Sequence, residues 1–383
     1  MESQVSVAGT RRPARLKELD GWRAISVLLV IVAHVGGHQH VRFTSQHLWL
    51  LDIVRHFGQF GVKIFFVISG FVICRLLLAE EKQFGAISLK AFYYRRIFRI
   101  LPPLLLYLCV FSILLALGWI RDHWAALGVS LLFLQDIHLG PRSWFAGHTW
   151  SLAVEEQFYL TFPAVLVLAA QHFRNRICLA FLGLCALWNL SLIFTSQSTL
   201  VSYDIRSGFI CIGMGVFMAL NEERALGFAI RIPQAVLIPI AFALLLNGLD
   251  PNTWQSLVIE SLFVPPAIAF ILLRSLEREK LLGRLLCSKP VLAIGATSYS
   301  IYLWQELFTG TSDSYAGIGK FIPRLVPLLL AIVAASYVFM EKPAMRYGKI
   351  LSERAQIRRA AQAGAYIRGD KGQDQSLKVE VSS

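Results

Sequence analysis

The chain of 383 residues is 56% hydrophobic and 16% charged, with a formal charge of +13 and a mean hydropathy of +0.57. An average soluble domain is about 25% charged, so this composition excludes a soluble enzyme with a large core and indicates an all-α, polytopic membrane protein. The excess charge does not indicate nucleic-acid binding, because Lys and Arg sit at the ends of apolar segments and in the C-terminal tail, where topology and anionic headgroups account for them.

Residues 1–18 form a basic N-terminal segment containing Arg11, Arg12, Arg15 and Lys17. No Ala-x-Ala-like cleavage site follows the first apolar run, and many apolar segments come after it, so it reads as a retained first span. A span needs about 20 mostly apolar residues, and by that measure about ten transmembrane helices are expected. They fall near 22–37, 60–79, 100–119, 153–171, 177–195, 206–221, 232–249, 256–274, 291–308 and 322–340. The piece from Trp124 to Leu134 is too short to span and reads as interfacial or re-entrant. A transmembrane domain over 19–345 is therefore expected, followed at 346–383 by a basic cytoplasmic tail, disordered or lying on the membrane surface from about residue 352. Lys and Arg concentrate on one set of loops, which places both termini in the cytoplasm. No internal repeat is evident, which weakens a transporter built from inverted halves.

The first span carries two ionisable residues, Arg23 and His34, eleven positions apart. At about 1.5 Å per residue His34 lies roughly 16 Å further along the helix axis than Arg23. Charged groups inside spans are expensive and are kept for a purpose, and histidine exchanges a proton near neutral pH. A histidine that only bonds a neighbouring helix is the alternative. At the start of the third span Arg96 and Arg99 are three residues apart and share a helix face. Two forked guanidiniums there suit phosphate groups, although basic residues at a span start also serve as membrane anchors. Glu155 and Glu156 stand just inside the fourth expected span, where a carboxylate must be paired or solvated. One of them could orient the imidazole of His34, or pair structurally with an arginine.

Weaker signals are read structurally. His38 and His40 follow the first span, and His34 and His38 are four apart, but no glutamate completes a metalloprotease motif, so no metal is expected. The Gly58–Val62 stretch reads as close helix packing, and the six cysteines as free thiols outside any disulfide or zinc framework.

Six stretches together carry a family resemblance: LDGWRAISVLLVIVAHV (19–35), FGVKIFFVISGFVI (60–73), FYYRRIFRILPP (92–103), WSLAVEEQFYLTFP (150–163), SYSIYLW (298–304) and EKP (341–343). The sequence resembles the acyltransferase-3 family of membrane O-acyltransferases, which modify surface and secreted carbohydrates. The resemblance places that family's Arg–His pair on Arg23 and His34, its Arg-x-x-Arg on Arg96 and Arg99, and its acid on Glu155. Gln305 departs from it, since many members have His after Leu-Trp. The resemblance is to stand-alone members.

Taken together, these readings imply an enzyme of the bacterial inner membrane. Acetyl-CoA or another acyl-CoA would be the donor, a carbohydrate hydroxyl the acceptor and the lipid bilayer the surroundings. Arg23, Arg96 and Arg99 would hold the cofactor, His34 would be the base, and Glu155 would orient it; an acyl-histidine intermediate stays open. The alternative from another class is a carrier for a carbohydrate or lipid-linked sugar that makes and breaks no bond. Oligomeric state, acyl length and the acceptor do not follow from the sequence.

Overall fold

The computed structural model describes residues 16–38, 48–137, 143–191, 203–246, 254–276 and 280–359. His40, the loop 247–253 and residues 360–383 lie outside them, as does the side chain of His38. Among the described residues the architecture is helical, with an isolated β-bridge between Ile120 and Tyr315.

In chain order the helices are α1 (Lys17–His38), α2 (Leu48–Phe84), α3 (Leu89–Ala116), α4 (Ala125–Leu131), α5 (Thr149–Leu168), α6 (Arg174–Leu190), α7 (Tyr203–Leu220) and α8 (Glu222–Ile230). There follow α9 (Leu237–Leu246), α10 (Trp254–Leu262), α11 (Val264–Arg274), α12 (Leu281–Leu286), α13 (Lys289–Ala296), α14 (Ser298–Trp304), α15 (Glu306–Thr309) and α16 (Val326–Ala335). A π-turn over Ser336–Glu341 extends α16 into a helix that continues to Arg359.

Among the described residues six helical segments are long and apolar enough to cross a membrane: Lys17–Gly36, His56–Phe84, Leu89–Ala116, Thr149–Leu168, Gln255–Arg274 and Val326–Arg359. The pair Ile205–Leu220 and Glu222–Ile230, bent by 92°, makes a seventh if counted as one span. The expected count of about ten is not confirmed among the described residues; hydropathy registers apolar residues and not the continuity of the backbone. The stretch 291–308 is broken into α13, α14 and α15. Helix α6, expected at 177–195, has 17 described residues, and α9, expected at 232–249, has ten. The short piece near 124–134 is the seven-residue α4, after which Phe133 takes a left-handed φ of 54°.

The boundary expected at residue 345 falls inside a helix. Residues 346–359 pack on α3: Arg95 donates to Ser352 Oγ at 2.5 Å, and the rings of Phe98 and Tyr347 meet edge to face at 5.1 Å. That part of the expected tail is helix, held to α3 by these contacts and by Gly348, which sits against Phe98, while Ile350 and Ile357 stay exposed.

Small residues set the helix spacing. A Cβ on Gly61 would lie 2.6 Å from the Ser26 carbonyl oxygen, and one on Gly58 would lie 2.6 Å from Ala33 Cβ, so α2 rests directly on α1. This is the close packing expected for the Gly58–Val62 stretch. Gly70 and Gly215 bring α2 and α7 equally close, each facing a carbonyl oxygen of the other helix at 2.1 Å from an added Cβ. The large buried side chains Phe66, Phe71, Tyr107, Phe111 and Phe145 fill the centre, while Leu160, Leu168, Leu330 and Phe339 point outward as an apolar surface suited to lipid. All six cysteines are free.

Candidate active site

The motifs scattered along the chain converge on α1, α3, α5 and α14. Arg23 from α1, Arg96 and Arg99 from α3, Ser69 from α2, Ser151, Glu155 and Tyr159 from α5, and Tyr299 and Tyr302 from α14 line one cavity. Arg23, Arg96 and Arg99 also line a second cavity, reached past Asp20, Arg75, Tyr337 and Glu341. The three arginines therefore line both cavities, and the spacing that put Arg96 and Arg99 on one face is realised there.

Their partners separate the anchors from the candidate ligands. Arg95 pairs with Glu80 at 3.0 Å, Arg75 with Glu222 at 2.9 Å and Arg174 with Glu81 at 2.6 Å. Arg23 contacts Asp20 at 3.1 Å. Arg96 and Arg99 make neither a hydrogen bond nor an ion pair among the described residues. The Arg96 guanidinium instead lies over the ring of Tyr159, 4.8 Å from its centroid. A cation held against an aromatic face keeps its N–H groups free for an anion. Glu155 is the acid that lines the cavity, accepting from Ser69 Oγ at 2.5 Å and Tyr159 Oη at 3.1 Å.

His34 lies elsewhere. Its Nδ1 is 2.8 Å from the Val30 carbonyl oxygen, which can only accept, so Nδ1 carries the hydrogen. Its Nε2 is 2.9 Å from Oε1 of Glu306. The carboxylate expected to orient this ring, Glu155, is not the one that does so. Glu155 faces the arginine cavity, and Glu306 takes the place assigned to it. The reason is the break after α14: Gln305 caps both α14 and α15, and the turn there aims Glu306 toward α1. An acid within an apolar stretch is as costly as a histidine, so Glu306 carried the same signal in the sequence as His34.

A second histidine joins the pair. His148, just before α5, places Nδ1 4.0 Å from the same Oε1 of Glu306. Its ring is held edge to face by Tyr107 at 5.6 Å and Tyr302 at 5.4 Å. Neither ring nitrogen has a hydrogen bond, and neither does the fully buried amide of Gln305. Trp144 closes the other side of His34 at 6.1 Å between centroids. Among the described residues no group of three or more His, Cys, Asp or Glu could hold a metal ion.

The SYSIYLW stretch ties these parts together. Tyr299 donates to the Ile100 carbonyl at 3.0 Å and so positions α3. Ser300 donates to Glu341 of the EKP motif at 2.7 Å. Tyr302 donates to the His148 carbonyl at 2.8 Å and meets Ser151 Oγ at 2.6 Å. The arrangement can hold an anion at three guanidiniums and exchange a proton at His34 and Glu306.

Comparison with known proteins bears on what such an arrangement does. The chain is 28% identical over 375 residues to the O-acetyltransferase OatA of Staphylococcus aureus (strain NCTC 8325 / PS 47), covering 88% of this chain and 58% of that protein. It is 26% identical over 372 residues to the putative O-acetyltransferase SACOL0978 of Staphylococcus aureus (strain COL), covering 86% of this chain and 57% of that protein. The chain thus spans little more than half the length of these curated relatives. No solved structure matches it. The acyltransferase domain that defines the acyltransferase-3 family matches residues 16–341, which hold every residue of the two cavities except Met345, together with the His34–Glu306 pair. By that match the chain belongs to the acyltransferase-3 family.

Proposed function

We propose that the protein is a membrane O-acyltransferase that moves an acyl group, acetyl in the simplest case, from acyl-CoA to a hydroxyl of a cell-surface or secreted carbohydrate. The observation that carries this reading is the pair of guanidiniums, Arg96 and Arg99, left unpaired and lining both cavities with Arg23. Their forked donors hold the cofactor's phosphates, and the pantetheine arm runs past Ser69 and Glu155 toward Tyr302. Glu155 balances the cationic cavity and fixes Tyr159, against which Arg96 lies.

At the other end His34 is the base. Its Nδ1–H is fixed by the Val30 carbonyl, so Nε2 receives the proton of the acceptor hydroxyl. The hydroxyl takes the position of Glu306 Oε1 at Nε2, and the nearby carboxylate stabilises the imidazolium that forms. The hydroxyl oxygen bonds to the thioester carbonyl carbon, the carbon–sulfur bond breaks, and the released CoA thiolate ends with the proton that His34 had taken, which restores the base. Lys and Arg placement along the loops supports an inner-membrane protein with both termini in the cytoplasm, where acyl-CoA is made.

Incubating purified protein with labelled acetyl-CoA and glycans from the source cell tests the proposal. Label in the glycan and stoichiometric free CoA are expected. Movement of a glycan across a vesicle membrane with no CoA released would instead favour the carrier.

A further inference from the structure

The arginine cavity does not reach His34. Of the residues that line it, Tyr302 is the one whose ring touches His148, and His148 in turn faces Glu306. The side chains of His148 and Glu306 are 1% and 2% exposed, whereas that of His34 is 26% exposed. The base is thus open on one side and sealed from the cavity on the other. The seal is held in place: Tyr302 Oη bonds to the His148 carbonyl and Ser151, and its ring meets Phe65 edge to face at 6.4 Å.

We infer that Tyr302 is a partition between the thioester and the base, and that it decides whether the acyl group goes to the acceptor or to water. This inference rests on the acyl-transfer reading above. Two reactions compete for one thioester. In transfer, the acceptor oxygen bonds to the acyl carbon, the carbon–sulfur bond breaks, and the acceptor's proton ends on the CoA sulfur. In hydrolysis, water supplies the oxygen and the proton, giving a free carboxylic acid and CoA. An acyl-CoA waiting beside an open, hydrated base would be hydrolysed, and excluding water prevents that side reaction. With Tyr302 in place, the acyl group stops at the phenol ring among Phe65, Phe66 and Ser151. It meets Nε2 of His34 when the ring turns aside.

The test uses the purified chain of 383 residues in detergent, with two readouts. The first is CoA released from acetyl-CoA without acceptor, measured chromatographically. Tyr302→Ala is expected to raise it about tenfold, because water then reaches the thioester. Tyr302→Phe keeps the ring and loses both hydrogen bonds, and Ser151→Ala loses one; each is expected to raise it about threefold, and both serve if the alanine variant at 302 does not fold. The second readout needs no turnover: modification of His148 by diethyl pyrocarbonate, followed by peptide mass spectrometry. His148 should be protected in the wild type, be modified about tenfold faster in Tyr302→Ala, and be protected again by added CoA. Faster modification in a protein that turns over no acyl-CoA would leave the partition standing and remove the acyltransferase reading. Unchanged His148 modification in all three variants would overturn the partition, as would variants that lose hydrolysis and transfer in parallel.

Discussion

His34 and Glu306, 272 positions apart in the sequence, meet at 2.9 Å between Nε2 and Oε1. The opposite ring nitrogen is already committed to the Val30 carbonyl, so one proton is shared in the contact between imidazole and carboxylate. A membrane-embedded histidine in this setting is oriented by its own helix and paired by another, as a base must be before it meets substrate. Its closest acid comes from the break between α14 and α15 and not from α5.

If this pair is the base, His34→Gln should insert, fold and bind CoA, yet lose acyl transfer by roughly 10²–10⁴-fold, the range for a positioned general base. Transfer by matched amounts of purified protein, with CoA binding measured in parallel, checks this. Near-wild-type transfer would return His34 to a structural role.

Glu306→Gln should fall into the same class, because an amide cannot share the proton. Groups that act as a unit are non-additive, so the double variant should lose little more than His34→Gln alone. Glu155→Gln should differ from both: if the arginine cavity that it lines takes the donor, it should raise the KM for acyl-CoA more than it lowers kcat. If instead Glu155→Gln tracks His34→Gln and Glu306→Gln is silent, the pairing drawn here is wrong for catalysis.

The arginines divide by partner. Arg96→Lys and Arg99→Lys keep the charge and lose the fork, and each should weaken CoA binding by roughly tenfold, the value of a charge-assisted hydrogen bond. Arg95→Lys, whose side chain bonds Glu80 and Ser352, should leave CoA binding intact and lower thermal stability. Calorimetric titration with CoA and a melting curve for each variant separate the two outcomes.

The orientation is checked with a reporter active only outside the cytoplasm. Fused after Ser383 it should be silent, and inserted in the loop 247–255 it should be active. The reverse pattern would remove cytoplasmic entry of the donor.

Close packing at α2 and α7 is a stability prediction. Gly70→Ala puts a methyl group 2.1 Å from the Ile212 carbonyl oxygen, so the two helices must separate. Overpacking of this kind costs about 1–3 kcal/mol, and the melting temperature in detergent should fall accordingly. Gly227→Ala, where an added Cβ meets nothing within 4 Å, is the matched control and should be neutral.

Composition and local pattern were enough to determine the class of protein and to mark some residues of the candidate site. Arg96 and Arg99 share a face because a helix repeats every 3.6 residues, and that is a property of the chain alone. So is the cost of placing His34 and Glu155 in apolar stretches, which marked both. The number of spans was less legible, because hydropathy does not see the breaks at Thr297 and Gln305 or the 92° bend after Leu220. What only the tertiary structure decided is which polar groups meet. Glu155, Glu306 and His148 all carry the same sequence signal, a costly polar side chain beside an apolar run. Their pairing depends on helix rotation and on the glycines that set α2 against α1 and α7. A pairwise contact across hundreds of residues is fixed by packing, where shifts of an ångström select one carboxylate over another, and no local periodicity encodes it.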